Sequence, residues 1–129
     1  MKRSMFIKTL FCTVTVLTLL ANCSKKHDNA TIPTLTTAAI SDIQVNDAVS
    51  GGNISSDGGS AIVLRGVCWG TSANPTRGEG GIFTGDGAGT GTFISHLSAL
   101  ETNTTYYVRA YATNGAGTGY GNEISFKTN

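Results

Sequence analysis

The side chains that could do chemistry in this 129-residue chain are few: three cysteines, two histidines, two aspartates in glycine-rich turns, and one strand-borne row of tyrosine and arginine. An enzyme needs a base, a nucleophile or a metal held in a pocket. His27 lies in a polar linker. His96 sits in Thr92-Phe93-Ile94-Ser95-His96-Leu97, where alternation reads as a strand and the imidazole as a solvated or partly packed strand residue. No second His or Cys stands at zinc-ligand spacing from it. Cys68, beside Trp69, reads as a small buried residue. The stretches Gly85–Gly91 and Gly115–Gly121 fit neither G-x-G-x-x-G nor the P-loop, and neither opens a helix that would receive a phosphate. Asp57 and Asp86 stand alone in their loops, without the alternating carboxylates of a calcium site. No catalytic residue, metal or cofactor is expected.

What remains is a contact surface. Tyr107, Arg109 and Tyr111 fall on one side of a strand, and these residue types are enriched where proteins bind partners. The row is the candidate contact surface, for a protein or a glycan. Cross-strand packing on a face with no partner is the alternative.

The elements that position these residues begin with a leader. Lys2, Arg3 and Lys8 precede the mostly apolar run Leu10–Leu20, which ends in Leu20-Ala21-Asn22-Cys23 and gives way at once to Ser24-Lys25-Lys26-His27-Asp28-Asn29. That order is a secretory signal peptide. The run is too short for a spanning helix, which needs roughly 20 apolar residues. Its end resembles the lipobox of bacterial lipoproteins, with Asn22 where Gly, Ala or Ser is usual. The resemblance implies cleavage before Cys23, a lipid on that cysteine, and attachment to a membrane with more than the two anchoring signals that stable binding takes. An uncleaved anchor helix and secretion without a lipid are the alternatives. Surface-exported relatives often carry acids just after the cysteine. Ser24-Lys25-Lys26 is basic, which points to the periplasmic face of the outer membrane.

Three of the nine lysines and arginines (Lys2, Arg3 and Lys8) would leave with residues 1–22, and the remaining six stand against eight acids, a net charge of −2. Scattered, weakly acidic charge offers no face to nucleic acid. Cys12 leaves as well and Cys23 is the lipid site, so Cys68 has no disulfide partner and the domain must hold by packing. Residues 23–33 read as the lipidated cysteine and a short tether, reaching at most about 35 Å at roughly 3.3 Å per residue.

Residues 34–129 read as one all-β domain. Runs rich in Thr, Val, Ile, Phe and Tyr predict seven strands: Leu35–Ile40, Ala48–Ile54, Ile62–Trp69, Gly81–Thr84, Gly91–Leu97, Thr105–Thr113 and Gly121–Lys127. Asp57-Gly58-Gly59, Asn74-Pro75 and Asn114-Gly115 mark turns. GAGTG occurs at Gly87–Gly91 and again at Gly115–Gly119, which reads as one turn solution used twice. Seven short strands in an open set suggest an antiparallel sandwich rather than a closed barrel.

The stretch Leu97–Asn114, with Leu100 six residues before Tyr106, resembles the corner and penultimate strand of fibronectin type III domains. Gly51–Thr128 is similar to the fibronectin-III-like modules of cell-envelope lipoproteins in some Gram-negative bacteria. The matching pieces are Gly51–Gly59, Arg65-Gly66-Val67-Cys68-Trp69, Asn74-Pro75-Thr76 and Gly117–Glu123. The resemblance implies a seven-stranded fibronectin type III-like (immunoglobulin-like) sandwich with a tyrosine corner. In that corner the Tyr106 ring packs in the core and its hydroxyl bonds nearby backbone. Thr102 stands where the family often has Pro. Tyr106, Val108, Ala110 and Ala112 should then face inward, and Tyr107, Arg109 and Tyr111 outward. The expected function is a monomeric, non-catalytic structural or adhesive module, binding a protein or acting as a spacer. Capture of a polysaccharide through exposed Tyr and Trp is the alternative.

Overall fold

A computed structural model describes residues 29–129. Eight strands run in order: β1 Thr34–Thr37, β2 Ala48–Ser56, β3 Leu64–Gly70, β4 Ile82–Phe83, β5 Gly91–Leu97, β6 Thr105–Asn114, β7 Gly117–Tyr120 and β8 Ile124–Lys127. All pairings are antiparallel. One sheet has the order β1-β2-β5; the other runs β4-β3-β6-β7, with β8 also pairing β6.

The two sheets enclose an apolar core because their strands alternate. On β5, Phe93, Ser95 and Leu97 are buried while Thr92, Ile94 and His96 are exposed. On β6, Tyr106, Val108, Ala110 and Ala112 join Val67 and Trp69 of β3 in the core. Leu35, Ala48 and Ile54 meet them from the other sheet. Small residues on β6 let the sheets approach closely, and the large ones, Trp69, Phe93 and Tyr106, fill the ends.

The last predicted strand, Gly121–Lys127, is ordered only as β8, and β7 forms ahead of it where a turn was expected; the physical reason for the break between the two lies in β1. The Ala110 N–H, which a continuous neighbour of β6 would have taken, donates to Thr37 Oγ1 at 2.9 Å. The Thr37 N–H in turn donates to Asn122 Oδ1 at 2.9 Å. Thr37 thus wedges between β7, paired with Tyr111–Asn114, and β8, paired with Thr105–Val108.

The repeated GAGTG is not one turn used twice, which corrects the sequence reading. In the loop before β5, Gly87, Gly89 and Gly91 all have φ near +90°. In the second copy Gly117–Gly119 is strand, and a Cβ on Gly119 would lie 2.2 Å from the Pro33 carbonyl oxygen. The first copy uses left-handed backbone; the second uses the missing side chain to admit a neighbouring chain. The turn at Asn114 is held by its side chain. Oδ1 accepts from the Ala116 and Gly117 N–H groups, and Nδ2 donates to the Thr31 and Asp57 carbonyls, both at 2.7 Å.

Thr31 is therefore already part of the sandwich: its N–H donates to the Gly58 carbonyl at 2.9 Å. The chain enters beside the β2–β3 and β6–β7 turns, at one end of the long axis.

The tyrosine corner forms as the resemblance implies. Tyr106 is 6% exposed, its ring stacks on Phe126 with centroids 5.9 Å apart, and its hydroxyl accepts from the Glu101 N–H at 2.8 Å. Tyr106→Phe leaves that N–H without its acceptor and should cost about 1–3 kcal/mol. Tyr107→Phe, on the other side of β6, should cost less than about 0.5 kcal/mol. Urea denaturation of both variants checks the contrast; a larger loss for Tyr107→Phe would contradict the register.

Candidate functional site

Sequence reasoning placed the contact row on the outward side of β6, and Tyr107, Arg109 and Tyr111 do lie on that side. The face is not open. The chain between β3 and β5 doubles back over it as a strap, residues 71–87, and Tyr111 is 0% exposed. This corrects the expectation of an exposed Tyr-Arg-Tyr surface. Alternation fixes which side of the sheet a residue faces, not whether another segment lies on top.

Two residues of the row, Arg109 and Tyr111, have structural partners. The Arg109 guanidinium lies 4.2 Å over the Tyr120 ring, and its Nε and Nη2 both donate to the Pro75 carbonyl, at 2.9 and 2.7 Å. The Tyr120 hydroxyl accepts from the Arg77 N–H at 3.0 Å. Arg77 then lies over both Phe83 (5.3 Å) and Tyr111 (5.4 Å), and its Nη1 donates to Thr113 Oγ1 at 3.3 Å. Its Nε is buried with no hydrogen-bond acceptor among the described residues; the two ring faces offset that loss with cation–π attraction. Tyr111 meets Phe83 edge to face at 6.0 Å and donates its hydroxyl to the Thr84 carbonyl. Only Tyr107 and Arg109 of the row keep partial exposure.

Cys68 is buried as expected, but on this outer side rather than in the core between the sheets. Its Sγ faces the Pro75 and Arg109 carbonyls at 3.4 and 3.5 Å. Burial pushes the thiol from 9.0 up to about 11, with the Arg109 guanidinium pulling the other way. That is the reverse of an activated nucleophile. Burial likewise raises Tyr111 above 10.0, Arg77 opposing it and Asp86 reinforcing it. The sign for stability follows. Below pH 9.0 both groups are neutral folded and unfolded. Above it the unfolded chain releases protons first, so stability falls as pH rises toward 11. Urea midpoints at about pH 8 and about pH 10.5 should show this fall, and Cys68→Ala should flatten it.

The remaining candidates brace loops. Asp86 Oδ2 accepts from Thr84 Oγ1 at 2.6 Å and from the fully buried Ser95 hydroxyl, tying the strap to β5. Asp57 Oδ1 accepts from the Gly59 N–H at 2.9 Å. The Arg65 guanidinium donates to the Asp86, Gly89 and Thr90 carbonyls and lies 5.2 Å from the Phe93 ring centroid. His96 is exposed on β5. Among the described residues no three His, Cys, Asp or Glu side chains converge. Cys23 and His27 lie outside the described residues.

Sequence reasoning missed one feature. At the end opposite Thr31, a groove of about 620 Å³ opens between the start of the strap and the tyrosine corner, with Trp69, Glu79, Ile82, Glu101 and Tyr106 among its walls. Its shape comes from backbone excursions that leave no spacing pattern; the lone Trp at the end of β3 was the only signal.

Neither a protein-family model nor a curated protein matches the chain. Solved structures do. A protein described as a myokine matches at 19% identity and TM-score 0.52, over 77% of this chain and 97% of that one. The sensor domain of the anti-sigma factor RsgI4 in Pseudobacteroides cellulosolvens matches at 17% and 0.52, over 75% of each. The third fibronectin III domain of the human KIAA0343 protein matches at 14% and 0.53, over 83% and 91%. At such identities the likeness is one of fold: the described domain is a fibronectin type III-like β-sandwich.

Proposed function

We propose that this is a lipid-anchored cell-envelope protein whose sandwich works without catalysis, as a monomeric spacing or adhesive module. The observation that carries the reading is where the chain enters the fold. Thr31 is fastened to the Gly58 and Asn114 turn end, so a lipid on Cys23 would reach that end through eight residues, at most about 26 Å. The strands run away from it; β6 alone spans about 30 Å. The opposite end, with the groove, would then be the part held out from the membrane. Asp86, Arg109 and Tyr111, which could have done chemistry, fasten the strap instead, which supports a structural role. For glycan capture by stacking, burial takes Trp69, Tyr106 and Tyr111 out of reach and leaves the partly exposed Tyr107 and Tyr120 as the available rings. The basic Ser24-Lys25-Lys26 favours the periplasmic face of the outer membrane.

The intact mass of membrane-extracted protein should show loss of residues 1–22 and an added diacylglyceryl group. Cys23→Ser should move the protein out of the membrane fraction. A variant that stays there would assign the anchor to the apolar segment and refute the lipid.

A further inference from the structure

We propose that the groove at the far end binds a neutral oligosaccharide, through its polar walls rather than by stacking on an aromatic face. The inference goes beyond the spacing role and does not depend on a lipid at Cys23.

Three features carry it. The charged residues among the walls are Glu79 and Glu101, both acids, with no lysine or arginine to receive an anion. Second, Trp69 is only 6% exposed, yet its indole N–H has no acceptor among the described residues. It is not a dry orphan either, since Arg77 Nε is the one fully enclosed side-chain nitrogen or oxygen there without a partner. The N–H therefore keeps some contact with solvent, and Trp69 is among the residues that line the groove. A donor on a side chain otherwise sealed by packing awaits an acceptor from outside. Third, Ile82, 54% exposed, adds an apolar wall beside the hydroxyls of Thr71 and Ser72. The volume, about 620 Å³, falls in the ~300–1,000 Å³ range of small-molecule sites.

A sugar matches this mixture. Each hydroxyl both donates and accepts. Neighbouring hydroxyls donate to a carboxylate, in the stronger charge-assisted kind of bond. A further hydroxyl or ring oxygen accepts from the indole N–H, and the C–H face of the ring rests on Ile82. A basic side chain would satisfy the carboxylates but offers nothing to the indole donor. An anionic sugar is repelled by Glu79 and Glu101.

Trp69 is the only tryptophan in the chain, so its fluorescence reports the groove directly. The full chain, in detergent micelles, is titrated with cellohexaose, maltohexaose and chitohexaose. At least one should change the emission saturably. The double variant Glu79→Gln, Glu101→Gln should weaken that binding tenfold or more with an unchanged far-ultraviolet circular dichroism spectrum. Ile94→Thr, on the opposite sheet, should leave it as it was. The proposal is overturned by no saturable change with any of the three sugars, by undiminished binding in the double variant, or by saturation with hexalysine in place of the sugars. The last outcome would assign the groove to a basic peptide. None of these results bears on the membrane anchor, which fractionation of Cys23→Ser decides separately.

Discussion

Tyr111→Ala is expected to destabilise the domain by about 4 kcal/mol, although Tyr111 lies on the side of its sheet away from the core. Removing a fully buried aromatic ring costs about 3–5 kcal/mol through lost transfer energy and the cavity left behind. Here the ring also meets Phe83 edge to face, supports the Arg77 guanidinium, and holds the Thr84 carbonyl through its hydroxyl. All three contacts belong to the strap, so its hold on β6 should go with the ring. Against a total of about 5–15 kcal/mol for a small domain, that is a large share. Urea denaturation followed by far-ultraviolet circular dichroism measures it. A loss below about 1 kcal/mol would mean that the strap adds nothing and that the face behaves as an open one.

Gly66→Ala should cost about 3 kcal/mol, by overpacking rather than by a cavity. In a strand interior this substitution ordinarily helps, because glycine is entropically poor there. At Gly66 the sign reverses. An added Cβ would lie 2.2 Å from the Thr84 carbonyl oxygen and 2.7 Å from Thr84 Oγ1. The strand cannot yield, being paired along β6, where Gly66 faces Tyr111. Thr84 must move instead, although its carbonyl accepts the Tyr111 hydroxyl and its Oγ1 accepts the Val67 N–H at 3.0 Å. The two variants act on one contact, so their costs should not add: in the Tyr111→Ala background, Gly66→Ala should cost clearly less. Denaturation of the two single variants and the double variant tests this, and simple additivity would separate Gly66 from the strap.

These two residues also mark where the sequence stopped being readable. Tyr106, Val108, Ala110 and Ala112 were legible because a period of two is a property of the strand itself. The tyrosine corner was legible because Leu100 and Tyr106 lie close in sequence, and β5 was legible to the residue. The burial of Tyr111 was not. It depends on Arg77, Phe83 and Thr84, 27 to 34 residues away, in a segment with no periodicity. β7 was missed because its glycines, which read as a turn, are there to admit Pro33. The contact row was read correctly as a side of the sheet, but of its three residues Tyr111 is sealed under the strap while Tyr107 and Arg109 keep partial exposure.

The way the arginines are fastened has a consequence for the medium the domain tolerates. Arg65, Arg77 and Arg109 grip carbonyl oxygens, a hydroxyl and aromatic ring faces. Mobile ions weaken attraction between exposed full charges, over a Debye length of about 8 Å at physiological ionic strength. They act far less on a guanidinium already in contact with a dipole or a ring and sheltered by the chain. The strap's grip on the sheet should therefore change little with ionic strength.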